Sequence, residues 1–186
     1  TIACFGAGNG YPHCELNEVY PAALDHNISV SSVGCEKNYG EKSWWPGLPD
    51  SIYWDMKDVH WNVVGSYETY WNEELQDSVV AMSAIHNHNP KVDICAPGYR
   101  VRTTTDDGLY TDNGWGTSFA SPMVAGTCGL MLSANNCLTP YQLEFGLKTM
   151  AHNIYDIPEN QQFIGMLGAG RLDAGASVSW AANHDC

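Results

Sequence analysis

Two apolar strand runs that stop at glycines, together with two helices in the C-terminal half, predict an α/β chain. Ile2 to Phe5 is the first run and halts at Gly6-Ala7-Gly8-Asn9-Gly10; Ile28 to Gly34 is the second. The first helix, Phe119 to Leu132, is apolar or small nearly all round, and a helix without a polar face is a buried one. The 186 residues suffice for one domain with a proper core and are too few for two, so the span 1–186 reads as one domain or most of one.

In chain order, the glycine-rich turn after the first run invites close approach by another group. An Asn-Gly pair also makes an ordinary turn, because both residues tolerate positive φ. Residues 36–79 form a tryptophan-rich, acidic insert of unknown role, with Trp44, Trp45, Trp54, Trp61 and Trp71. Exposed aromatics among polar residues make a binding surface, but tryptophan clusters more often close over a local core, which is the reading taken for the insert by itself. Asp55, Asp58 and His60 carry metal-capable side chains at near-helical spacing, yet without a second histidine a solvated acidic face accounts for them. His86 and His88, flanking Asn87 beside Pro90, are an equally thin basis, so no metal and no cofactor is expected. Thr139-Pro140 opens a second helix reaching about Ala151, with Leu143, Leu147 and Met150 on one stripe.

Eight Lys and Arg against 21 Asp and Glu give a formal charge of −13, which repels phosphate backbones and anionic membrane surfaces. No apolar run approaches the 18 or so residues that a membrane helix needs. Neither nucleic acid nor a membrane is therefore an expected partner. The seven cysteines are too widely spaced for a zinc pattern. Cys4 and Cys128 lie in apolar runs where a free thiol acts as a small hydrophobe, whereas Cys14, Cys137 and Cys186 lie in polar segments and are able to pair. Together with the sequon Asn27-Ile28-Ser29 they are compatible with a secreted or extracellular protein. The chain starts at Thr1, directly in a strand run, which suggests a processed or excised chain.

Chemistry concentrates in Gly116-Thr117-Ser118-Phe119-Ala120-Ser121-Pro122-Met123-Val124-Ala125-Gly126. Two small residues lead into a hydroxyl, a proline follows in the first turn where its missing N–H does no harm, and an apolar helix continues. Ser118 then sits at a helix N-terminus, where the macrodipole and free amides favour the developing charge of an acyl-transfer oxyanion. Taken alone, Ser118 reads as a helix N-cap, Ser being among the preferred caps of any helix.

The eleven-residue string resembles the nucleophile signature of the subtilisin-like serine proteases (subtilases), Gly-Thr-Ser-x-Ala-x-Pro-x-Val-Ala-Gly. Ala7-Gly8-Asn9 is similar to the family turn whose asparagine stabilises the oxyanion. Tyr20-Pro21-Ala22, Ile28 to Gly34, Val92-Asp93-Ile94-Cys95-Ala96-Pro97-Gly98 and Gly168-Ala169-Gly170-Arg171-Leu172-Asp173-Ala174 resemble further landmarks in the same order. The resemblance covers most of residues 1–35 and 80–182. It implies part of a parallel sheet with helices on both faces, its N-terminal strands absent from this chain. It also implies a nucleophile at Ser118, an oxyanion donor at Asn9, and a specificity pocket walled by Gly6, Ala7 and Gly8 with Val19 at its base. Val19 should shorten that pocket toward medium apolar side chains, although Glu18 next to it is able to favour basic ones.

A serine needs a base and an orienting acid. The family carries them in Asp-Thr/Ser-Gly and His-Gly-Thr-His-Val-Ala-Gly motifs, and neither occurs here. The resemblance thus implies the C-terminal part of a catalytic domain acting on peptide or protein substrates, the Asp and His supplied by a segment outside this chain. Two rivals remain. One is a catalytically silent subtilase-like module whose tryptophan-rich insert binds a protein partner. The other is a self-contained hydrolase using Ser118, Asp173 and His184, weakened because Ala120 replaces the glycine that a nucleophile elbow needs.

Overall fold

A computed structural model of the chain describes residues 1–10, 18–34, 39–42, 53–56, 62–63, 65–72, 77–98, 101–114, 116–156 and 158–185. In chain order the strands are β1 (Cys4–Gly6), β2 (Asn9–Gly10), β3 (Ile28–Gly34), β4 (Tyr39–Lys42), β5 (Tyr53–Met56), β6 (Asn62–Val63), β7 (Gly65–Asn72), β8 (Asp77–His86), β9 (Ile94–Pro97), β10 (Val101–Thr104) and β11 (Tyr110–Gly114). The helices are α1 (Thr117–Ala134), α2 (Pro140–Thr149) and α3 (Ala174–Ala182), with a 3-10 helix, Pro158–Phe163, ahead of α3.

β3 is the central strand. Parallel β1 runs along one side with Cys4 opposite Ile28, and parallel β9 along the other with Ile94 opposite Val30. Antiparallel β6 pairs with the far end of β3 at Val33 and Gly34. The outer edge of β1 pairs with no strand among the described residues. A second sheet is antiparallel in the order β2, β8, β7, β5, β4, so most of the tryptophan-rich insert's described residues are strands. Asp55 lies in one of these strands, β5, while Asp58, His60, Trp44, Trp45 and Trp61 fall outside the described residues.

Strand alternation divides the core between the two faces of the parallel sheet. Ile28, Val30, Ile94 and Ala96 point to α1, α2 and α3, meeting Val124, Met131, Leu143 and Leu147. Val33 and Cys95 point the other way, toward Ile154, Leu167 and the half-buried Phe163 of the 3-10 helix. Helices therefore flank both faces of a parallel sheet in an α/β arrangement. Leu143 and Leu147 are buried, while Met150, the third residue of the expected stripe, is the C-cap of α2. Thr139 caps that helix in a reciprocal box with Gln142.

Cys4, Cys95 and Cys128 are free thiols and Cys137 is disulfide-bonded; Cys14 and Cys186 lie outside the described residues. Burial pushes the Cys95 thiol up to about 12, and the contact with the Ser31 hydroxyl acts the other way.

α1 departs from the sequence expectation on one face. Ala120, Val124, Cys128 and Met131 are buried, but Pro122, Ala125, Gly126, Gly129 and Leu130 are exposed, Leu130 at 58%. No described residue lies within 4 Å of a side chain built on Gly126 or Gly129. The composition is that of a helix covered all round, and the described chain covers only part of it.

Candidate active site

Ser118 is the second residue of α1, and the N-cap is Gly116, so the capping explanation for Ser118 does not hold. The Ser118 side chain is exposed, and its N–H is one of the first-turn donors that no helical carbonyl accepts. No acidic side chain stands in that first turn, so the helix supplies no charge of its own to offset the positive end of its dipole beside the hydroxyl.

A side chain 108 residues earlier in the sequence binds the helix start. The Asn9 Oδ1 accepts the Thr117 N–H at 2.8 Å and the Thr117 hydroxyl at 3.2 Å. The same hydroxyl accepts the Gly8 N–H at 3.2 Å, closing a relay from the Gly8 amide through Thr117 to Asn9. Because two donors hold the amide oxygen, Nδ2 is the end left to donate. It lies over Gly116, 2.9 Å from where a Cβ would stand. The φ of 122° at Gly116 demands glycine for a second reason, since side chains rarely adopt it.

The glycines expected to wall a pocket allow this contact. A Cβ on Gly6 would stand 2.8 Å from the Thr117 hydroxyl, so β1 ends against the helix only because Gly6 has none. Ala7 is buried and donates its N–H to Val30 at 2.8 Å. Gly8, at φ 109°, lies between the Asn87 amide and the Val19 methyl; its Cβ would meet them at 2.7 and 2.8 Å. Gly6, Ala7, Gly8, Asn9, Val19, Thr117 and Ser118 are thus brought into one neighbourhood. Val19 is 37% exposed, next to the cis Tyr20-Pro21 bond. The exposed Glu18 accepts a hydrogen bond from the Tyr20 hydroxyl at 3.4 Å. On the other side of Ser118 the half-buried Phe119 packs its ring against Gly114 at the end of β11.

Asp173 and His184 are not part of this neighbourhood. Asp173 is the N-cap of α3, its Oδ1 accepting from the Ala176 N–H at 2.9 Å. His184 follows α3 and is held there, stacked on Trp180 with centroids 4.2 Å apart. Its carbonyl accepts from Asn135 Nδ2 at 2.8 Å, which places it by the C-terminal end of α1. At 1.5 Å per residue the helix itself separates that end from Ser118 by roughly 25 Å. His88, buried against Phe163 with centroids 4.3 Å apart, belongs to the core on the face away from α1. Among the described residues no histidine bonds to Ser118, and no cluster of three or more His, Cys, Asp or Glu stands ready for a metal ion.

Two residues in the neighbourhood escaped sequence reasoning. Thr117 was visible as the hydroxyl before Ser118, but its bonds to Gly8 and Asn9 reach back 109 and 108 residues. Asn87 carried no local signal.

The sequence model of the subtilase family, peptidase S8, matches residues 1–170. The halolysin-like extracellular serine protease Nep of Natrialba magadii is 32% identical over 114 residues, 61% of this chain and 20% of that protein. Subtilisin DY of Bacillus licheniformis is 33% identical over 101 residues, 50% of this chain and 36% of that protein. Among solved structures, a chain of the subtilase cytotoxin SubAB superimposes with a TM-score of 0.59 at 21% identity, covering 97% of this chain and 48% of that one. A protease of Pseudoalteromonas arctica gives 0.58 at 21% identity, covering 97% and 43%. This chain therefore spans about half of the solved structures, and its matches to the two named proteases span about a third of their length or less. With residues 1–170 matched, and with a parallel α/β sheet that delivers an exposed serine and a distant asparagine to one helix start, the chain belongs to the subtilase family.

Proposed function

We propose that this chain carries the nucleophile and oxyanion half of a subtilisin-type serine endopeptidase. The supporting observation is the 2.8 Å bond from the Thr117 N–H to Asn9 Oδ1, which holds the asparagine amide beside the exposed Ser118. In this reading Ser118 Oγ attacks a peptide carbonyl, and a histidine outside these 186 residues, oriented by an aspartate, takes its proton. Asn9 Nδ2 and the Ser118 N–H bind the oxyanion, the leaving amine takes the proton, and water releases the acyl group. The segment bringing the acid and base packs on the uncovered face of α1 and the open edge of β1. Val19 and Gly8 narrow the pocket ahead of the scissile bond, so medium apolar side chains are preferred there, and peptide-library cleavage dominated by Arg or Lys would reverse that assignment. The protein acts outside the cell, as Nep does by its name.

Labelling with a fluorophosphonate tests the assignment. The complete protein is expected to label at an enzyme-like rate and to lose labelling in Ser118→Ala, and the 186-residue chain by itself is expected not to label. Rapid labelling of the isolated chain would show that its base lies within it. A complete protein that never labels would favour the silent module whose insert binds a partner.

A further inference from the structure

We propose that Asn87 is a positioning residue for Asn9, holding the oxyanion amide from the side opposite Thr117. The inference rests on the reading of Asn9 as oxyanion donor. The turn Gly8-Asn9-Gly10 is gripped twice. Thr117 grips it from the helix side through the bonds already described. On the other side the short strand β2 pairs with the end of β8, Asn9 opposite His86 and Gly10 opposite Ile85. Where that ladder ends, the Asn87 N–H donates to the Gly8 carbonyl at 2.9 Å. The Asn87 amide then folds over Gly8, filling the space a Cβ would take.

Asn87 is itself fixed. It is 2% exposed, and its carbonyl accepts from the Ser31 hydroxyl at 2.6 Å, a residue of 0% exposure on the central strand. Ser31 also meets the Cys95 thiol. The parallel sheet thus reaches Asn9 through Ser31, Asn87 and Gly8, with buried groups at the first two steps. A turn with glycines at both flanks has little stiffness of its own, so the direction of the Asn9 amide depends on these neighbours. Displacing such a donor by a fraction of an ångström weakens a bond made to the oxyanion, a loss read mainly in kcat.

The test is a double-mutant cycle in the complete protein with a peptide substrate, comparing Asn87→Ala, Asn9→Ala and the pair. Asn87→Ala is expected to lower kcat about tenfold with KM nearly unchanged, and to have no further effect once Asn9 is alanine. An equal loss from Asn87→Ala in both backgrounds, or no loss in the first, overturns the positioning role. If Asn9→Ala itself leaves kcat intact, it is the oxyanion reading that fails. Ser31→Ala, which removes the bond to the Asn87 carbonyl together with the contact to the Cys95 thiol, gives a second entry to the cycle should Asn87→Ala fold poorly; it is expected to show the same loss of kcat and the same dependence on Asn9, and an additive loss again overturns the role.

Discussion

Asn9 meets Thr117 through its oxygen, so under the proposed function the two ends of its amide have separate duties and can be tested separately. Asn9→Leu removes the outward donor and is expected to lower kcat by roughly 10²–10³ with little change in KM, because the bond forms only to transition-state charge. Thr117→Val keeps the backbone N–H that binds Asn9 Oδ1 and loses only the bridging hydroxyl. The expected loss is smaller, about tenfold, with Thr117→Ser close to wild type. Steady-state kinetics of the complete protein on one peptide substrate checks both, and equal losses from Asn9→Leu and Thr117→Val would show that the amide does no more than tie the helix down. Ser118 and Asn9 were singled out in the sequence by their resemblance to family strings, because local chemistry alone reads the serine as a cap and the Asn-Gly pair as an ordinary turn. Asn87 was not legible, because a buried asparagine between two histidines carries the same letters whether it grips a distant turn or fills a loop.

Element by element, legibility followed local chemistry. The α2 start was visible in Thr139-Pro140 because capping acts within one turn, and Asp173 caps α3 by the same local chemistry. Asp173→Ala is accordingly expected to cost about 1 kcal/mol of stability and little activity, read as a lowered Tm with kcat/KM retained. The uncovered face of α1 was not visible, since apolar composition reports that a helix is to be covered and not what covers it. One tie between α2 and the sheet adds a pH signature. Asp93 accepts the Ser29 N–H at 2.8 Å and pairs with Lys148 at 2.7 Å, and Glu144 joins at 3.1 Å. Burial acts against the Lys148 ammonium, but hydrogen bonds and charge from Asp93 and Glu144 outweigh it and raise its pKa. A lysine raised on folding contributes fully below its unfolded pKa and loses the contribution as pH climbs through the folded value. The Tm gap between wild type and Lys148→Met is therefore expected to hold from neutral pH up to the ordinary lysine range and to close above it. With Lys148 partly exposed, the gap corresponds to roughly 1 kcal/mol or less.

Over the whole molecule, the position of His184 separates a chain that carries its own triad from one that carries part of it. The order Ser118, Asp173, His184 suits a self-contained hydrolase when only the sequence is read, but α1 is a rigid spacer between the first and last of these. His184 is bound at the Asn135 end of α1 by its carbonyl and stacked on Trp180, while Asp173 is occupied in capping α3. Proton transfer needs heavy atoms within about 3 Å, and roughly 25 Å of helix cannot close without unmaking the packing of α1 on α3. His184→Ala is therefore expected to leave kcat/KM of the complete protein within about threefold, because it removes a ring from a distant surface cluster. Its effect should appear in stability, since the Trp180 stacking is lost, an aromatic contact of about 0.5–1.5 kcal/mol. Paired measurement of Tm and kcat/KM decides the matter: a hundredfold fall in rate without unfolding would place His184 in proton transfer and overturn the assignment of the base to a segment outside this chain.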